Sequence, residues 1–185
     1  MNIRKRIFII LTIAWMIIIF LMSSQPAPDS TETSLAVGHA VCTLFVPGYS
    51  KMSTDDQLQL AKKIDHPVRK TAHATEYAIL AMLIFAAISG MYDNMVRIKH
   101  NLISLGFTTA YAISDEIHQY FVPGRACMVT DVMIDLSGAL VGLILVSLVK
   151  KRLTKTSATR ITQITKKYGR YRKYKKRNNT EKIQA

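Results

Sequence analysis

Between Ser114 and Gln119 the chain places two carboxylates, an imidazole and an amide, Ser114-Asp115-Glu116-Ile117-His118-Gln119, and runs on into Tyr120-Phe121-Val122-Pro123-Gly124-Arg125. A carboxylate and a histidine this close suit acid–base work in a partly dry site, where the environment moves such groups toward neutral pH. Glu116-x-His118, joined by Asp131 or His73, also offers oxygen and imidazole donors of the kind that hold a divalent cation. The chain has no His-Glu-x-x-His or similar zinc signature, so no metal ligand is assigned and the cofactor is left open. Nor does it carry a Gly-x-Ser-x-Gly elbow, a phosphate loop or a dinucleotide fingerprint, so no covalent mechanism is indicated.

These polar groups close an otherwise apolar run that begins near Leu102, and three comparable blocks lie elsewhere: Ile7–Met22, Val68–Met91 and Met128–Val149. A helix needs about 20 residues to cross a hydrocarbon core of roughly 30 Å. The second and fourth blocks in chain order meet that, and the first does if it starts near Lys5. The third, Leu102–Phe121, spans only if its acidic motif belongs to the helix. The expectation is an all-α, polytopic membrane protein with four transmembrane helices in residues 1–150, followed by a basic cytoplasmic tail, 151–185, disordered or bound to the membrane surface.

Charge sets the orientation. The chain carries a formal net charge of +13, yet Met1 to Val149 is balanced, so the excess sits in the tail, including Lys150-Lys151-Arg152 and the run Arg170 to Arg177. With Arg4, Lys5 and Arg6 ahead of the first span, both termini are placed in the cytoplasm, and the tail faces anionic lipid heads. Tyr168, Tyr171 and Tyr174 among the cations raise nucleic-acid stacking, a weaker reading than the membrane surface. The apolar leader is read as an uncleaved span, because Ser24-Gln25-Pro26-Ala27-Pro28 offers a poor cleavage site.

The connection from Ser23 to Arg69 then lies outside and is too long to be structureless. Ser34 to Val46 has helical spacing that Pro47-Gly48 ends, and Ser53 or Thr54 is placed to cap a second short helix through Asp65. Pro67 suits the first turn of the next span. The two short pieces are expected at the membrane interface. Cys42 and Cys127 are read as separate reduced thiols.

With this topology the polar residues gather at one depth. Ser24 and Gln25 end the first span; Arg69, Lys70, His73 and Glu76 lie in the outer half of the second. Asp115, Glu116, His118 and Gln119 end the third, Arg125 is in the turn, and Asp131 and Asp135 open the fourth. His73, Glu76, Tyr77 and Leu80 share a helical face, as do Asp131, Asp135, Gly138 and Gly142. Asp115, His118 and Gln119 share another, with Glu116 pointing aside. Gly138-x-x-x-Gly142 lets the fourth helix approach a neighbour closely. We expect Glu116, His118, Asp131 and Asp135 to carry polarity or acid–base chemistry, and Arg69, Lys70, His73, Glu76, Asp115, Gln119, Arg125, Ser24 and Gln25 to contact a ligand. Intramembrane charges generally mark a site; the competing reading is a helix-packing network.

Four ordered blocks resemble the VanZ-like membrane protein family: Trp15 with Phe20 and Ser23-Ser24-Gln25; Arg69-Lys70-x-x-His73-x-x-Glu76-Tyr77-x-x-Leu80; Ser114 to Gln119 leading to Phe121-Val122-Pro123-Gly124-Arg125; and Asp131-x-x-x-Asp135-x-x-Gly138. The likeness implies an integral membrane protein of the cell envelope associated with resistance to glycopeptides, teicoplanin in particular. It hands over no mechanism. The partners this implies are membrane lipid and a lipid-linked envelope precursor or lipoglycopeptide.

Overall fold

A computed structural model describes residues 3–91 and 96–184, and these form helices and turns with no strand among them. They divide into two compact units, Met1–Ile144 and Leu145–Ala185.

Helix α1, Ile3–Ser23, is apolar on nearly every side. One edge carries Trp15, Met16 and Ile19 onto Tyr77, Leu80 and Ala112, which form the core. Its other faces expose Ile10, Ile13, Ile17 and Leu21, a distribution that suits lipid and not water.

Helix α2, Ala27–Phe45, starts after Pro26, which needs no amide partner, and has Asp29 in its first turn. It runs back along the first half of the next helix. Gly38 lies where a Cβ would touch the Ala61 carbonyl at 3.5 Å, and the Ser34 hydroxyl donates to Asp65. A 3-10 turn at Tyr49–Lys51 reverses the chain after Gly48, whose φ of 79° suits glycine. The Tyr49 phenol ties the hairpin by bonding His39 Nδ1 at 2.5 Å.

Helix α3, Thr54–Met91, differs from the expectation of a short helix ending at Asp65 and a fresh start near Pro67. It is one helix of 38 residues with Pro67 inside it. Ser53 does act as the cap, its hydroxyl accepting from the Asp56 amide at 3.2 Å. Pro67 removes one amide donor but does not end the helix. Packing on both sides holds the rod across it: α2 grips Ala61 and Asp65, and α1 grips Tyr77 and Leu80.

Helix α4, Arg97–Gln119, begins before the apolar run starting at Leu102. It is amphipathic in an inverted sense: His100, Ser104, Thr108, Asp115, Glu116 and Gln119 are buried while Leu102, Phe107, Ile113 and Ile117 are exposed. Ser104 and Thr108 satisfy themselves by donating to the His100 and Ser104 carbonyls at 2.7 and 2.8 Å. Buried His100 is a polar group toward the other end that sequence reading had left in a loop. A turn with Gly124 at φ 74° leads to helix α5, Val129–Gln184. A Cβ on Gly138 would sit 1.9 Å from the Ala74 carbonyl oxygen, and one on Gly142 2.4 Å from that of Ala78. The two glycines therefore let α5 and α3 cross with backbones in contact.

Among the described residues, three helices are long and apolar enough to cross a membrane: Lys5–Ser23, Thr54–Met91 and Val129–Arg152. Arg170 to Arg177, the most basic part of the tail, has side chains outside the described residues.

Candidate functional site

The ionisable groups meet at the end of the bundle where α1 and α4 finish and α5 begins. The turn before α5 is pinned there, because the Ala27 amide donates to the Pro123 carbonyl at 3.1 Å and Arg125 Nε donates to the Gln25 carbonyl at 3.2 Å. Trp15 fixes α1 against α3 by donating from its indole to the Glu76 carbonyl at 2.9 Å.

Helices α3 and α5 share two charge pairings. Lys70 Nζ donates to Asp131 Oδ1. One turn further along both helices, His73 Nδ1 and Asp135 Oδ1 lie 3.8 Å apart, too far for a direct hydrogen bond. Asp135 is fully buried, and among the described residues neither of its oxygens nor His73 Nδ1 has a hydrogen-bond partner. Buried polar atoms are nearly always satisfied, so such a pair is a place to look for function.

The face of α4 turned inward holds Asp115 and Gln119 as expected, but it includes Glu116 and not His118. Glu116, read as pointing aside, is 1 % exposed. Its Oε2 accepts the Met128 amide at 2.9 Å, while Oε1 is buried without a partner. The seam Thr108, Ala112, Asp115, Glu116, Gln119 follows helical steps, so adjacent carboxylates straddle its centre. Gln119 donates to Asp115 Oδ2 at 3.2 Å. His118 turns toward α1: its Nε2 lies 3.1 Å from Ser24 Oγ and its ring 4.6 Å from that of Phe20. Ser24 Oγ also donates to the Phe20 carbonyl at 2.6 Å, so this serine hydrogen is already engaged.

Two cavities open at this end. The smaller, about 120 Å³, lies between α1, α2 and α3 and is lined by Gln25, Arg69, His73, Glu76 and Arg125 together with Ser30, Thr33 and Ser34. The larger, about 330 Å³, is polar and lined by Arg69, Lys70, His73, Gln119, Arg125 and Asp131, with His66 at its edge. Arg69, His73 and Arg125 belong to both. Arg69 is held 3.3 Å from Asp65, one helical turn back. Arg125 forms no ion pair among the described residues; burial and then the nearby Arg69 guanidinium pull its pKa down from the usual arginine value. Ser24, Asp115, Glu116, His118 and Asp135 line neither cavity and stand behind the walls.

Sequence reading had missed the part played by α2. The hydroxyl-rich stretch Ser30-Thr31-Glu32-Thr33-Ser34 was its signal, but which wall it formed depended on the hairpin. Asp65, expected to end a short helix in the outer loop, instead lies inside α3 one turn before Arg69 and pairs with it. No set of three His, Cys, Asp or Glu side chains among the described residues comes close enough to hold a metal, and Glu116 and His118 point to different neighbours.

Fold and site together define a multi-pass helical membrane protein with a buried ionisable cluster at one end of its bundle. The family model for VanZ/LLP1 matches residues 8–150, and the chain belongs to that family. No curated protein and no solved structure matches the chain.

Proposed function

We propose that the two linked cavities bind the anionic head group of a membrane amphiphile at the outer leaflet, either a lipid-linked envelope intermediate or a lipoglycopeptide. The observation that carries this is the pair Arg69 and Arg125, which face the same two cavities while Arg125 has no carboxylate partner among the described residues. Half-buried guanidinium groups side by side repel one another and favour a bidentate anion such as phosphate or carboxylate between them. His73, Glu116, Asp131 and Asp135 supply polarity or acid–base chemistry behind that contact.

In this reading α4 is a fourth membrane span, supported by its exposed apolar face and buried polar one. The α2 hairpin lies at the outer interface, both termini are cytoplasmic, and the basic tail meets anionic lipid. In this reading the activity belongs to glycopeptide resistance, as the likeness to VanZ-like proteins suggests. A second reading, a structural or regulatory protein whose polar cluster only docks helices, has the Lys70–Asp131 pair and the Gly138 crossing in its favour.

Arg125→Gln and Arg69→Gln, scored together for membrane abundance and teicoplanin susceptibility, separate the two. The binding reading expects normal abundance with resistance lost, most strongly in the double variant. If resistance falls only as abundance falls, the cluster is scaffold. Glu116→Gln and Asp135→Asn, if they abolish function in a folded protein, add a reaction to the binding.

A further inference from the structure

A third cavity, mostly apolar and about 630 Å³, runs along α3 from Ile64 to Ile79 in the angle between α1 and α2. Trp15 on α1 and Val37 and Val41 on α2 form its sides. It is not separate from the polar site: Val37, Val68, Ala72 and Glu76 line both this groove and the smaller polar cavity. Across that shared wall stand Arg69, His73 and Arg125.

We propose that this groove takes the hydrocarbon tail of the amphiphile, which enters sideways from the bilayer between α1 and α2 while its anionic head passes over Ala72 to the two arginines. The inference rests on the head-group reading above and adds the route and the tail. Ten helical rises separate the head-group level at Arg69 from Ile79, about 15 Å, half of the roughly 30 Å hydrocarbon depth. Trp15 lies eight residues below the end of α1 at Ser23, about 12 Å into that depth. The groove is apolar along this length, as burial of a hydrocarbon tail requires. An apolar slot meeting two cations at its side matches a charged head on a long tail. It matches neither a free anion nor a neutral lipid.

Trp15 is the sole tryptophan of the chain and lines the groove, so its fluorescence reports occupancy. The full chain is placed in phosphatidylcholine nanodiscs containing a few mole per cent of lipid with brominated acyl chains. Brominated phosphatidic acid should quench Trp15 several-fold more than brominated phosphatidylcholine at the same fraction. Thr75→Phe, at a residue that lines the groove and neither polar cavity, fills the slot without changing charge and should remove that preference, while binding of soluble glycerol phosphate, measured by calorimetry, stays as in the wild type. Arg69→Gln with Arg125→Gln should remove both. Equal quenching by the two lipids, with glycerol phosphate still bound, overturns the groove and leaves the head-group site standing. A preference that survives Thr75→Phe in folded protein also overturns it. Equal quenching with no glycerol phosphate binding sinks the head-group reading as well.

Discussion

Lys70 and Asp131 show how a charged pair at this site divides between structure and function. Their side chains are 23 % and 14 % exposed and join α3 to α5. Removing one partner leaves the other charge in a poorly solvated place, whereas removing both does not. We therefore expect Lys70→Gln and Asp131→Asn each to destabilise the protein, and the double variant to lose less than the sum. The coupling energy should be on the order of 1–3 kcal/mol, read from unfolding in mild detergent. Additive losses would show that the pair contributes nothing as a pair. Asp135, wholly buried with both oxygens unsatisfied, and Glu116, satisfied at only one oxygen, differ from it. Stability alone does not explain why such groups are there.

At the scale of elements, the site depends on how closely α3 and α5 approach. Lys70 faces Asp131, and His73 faces Asp135, only because Gly138 and Gly142 let α5 lie against the Ala74 and Ala78 carbonyls. A methyl group at Gly138 has backbone in its way and must push the helices apart. Gly138→Ala should cost about 1–3 kcal/mol, the range for overpacking a close contact. Gly106→Ala, at a helical glycine with nothing within 4 Å, should cost nothing and gain helix propensity. Heating both variants in detergent and following monodispersity checks this; equal melting of the two would contradict a tight crossing. Helix α4 makes a complementary point. Its polar face is spent on the interior, so mean hydropathy understates its fitness for lipid.

For the whole molecule the open question is which side of the membrane holds the cluster. The two cysteines test it, since Cys127 is exposed in the turn before α5 and Cys42 is buried on α2. In intact cells a membrane-impermeant maleimide should label Cys127, leave Cys42 unlabelled until the protein is unfolded, and fail to reach tags at either terminus. Labelling of Cys127 only after permeabilisation would reverse the proposed orientation. The compact unit Met1–Ile144 contains every residue of the site, so removal of residues beyond Lys150 should spare head-group binding.

The sequence by itself determined the all-helical character, the presence of apolar helices long enough to cross a membrane, and the family; of the four spans it proposed, three meet that length and apolarity. Each depends on local composition and spacing: long apolar runs have few alternatives in a bilayer, and charges within them are conspicuous. It also foretold the Gly138–Gly142 crossing, because small residues one turn apart are a local pattern. Only the tertiary structure decided that α3 runs unbroken through Pro67, since the packing of α1 and α2 outweighs a local helix breaker. Only it showed Glu116 turned inward and His118 turned toward Ser24, because how far a helix is rotated about its axis is set by the neighbours it meets. The third wall of the site, α2, and the groove beside Trp15 were likewise settled by how a hairpin folds back, a contact between residues far apart in the chain.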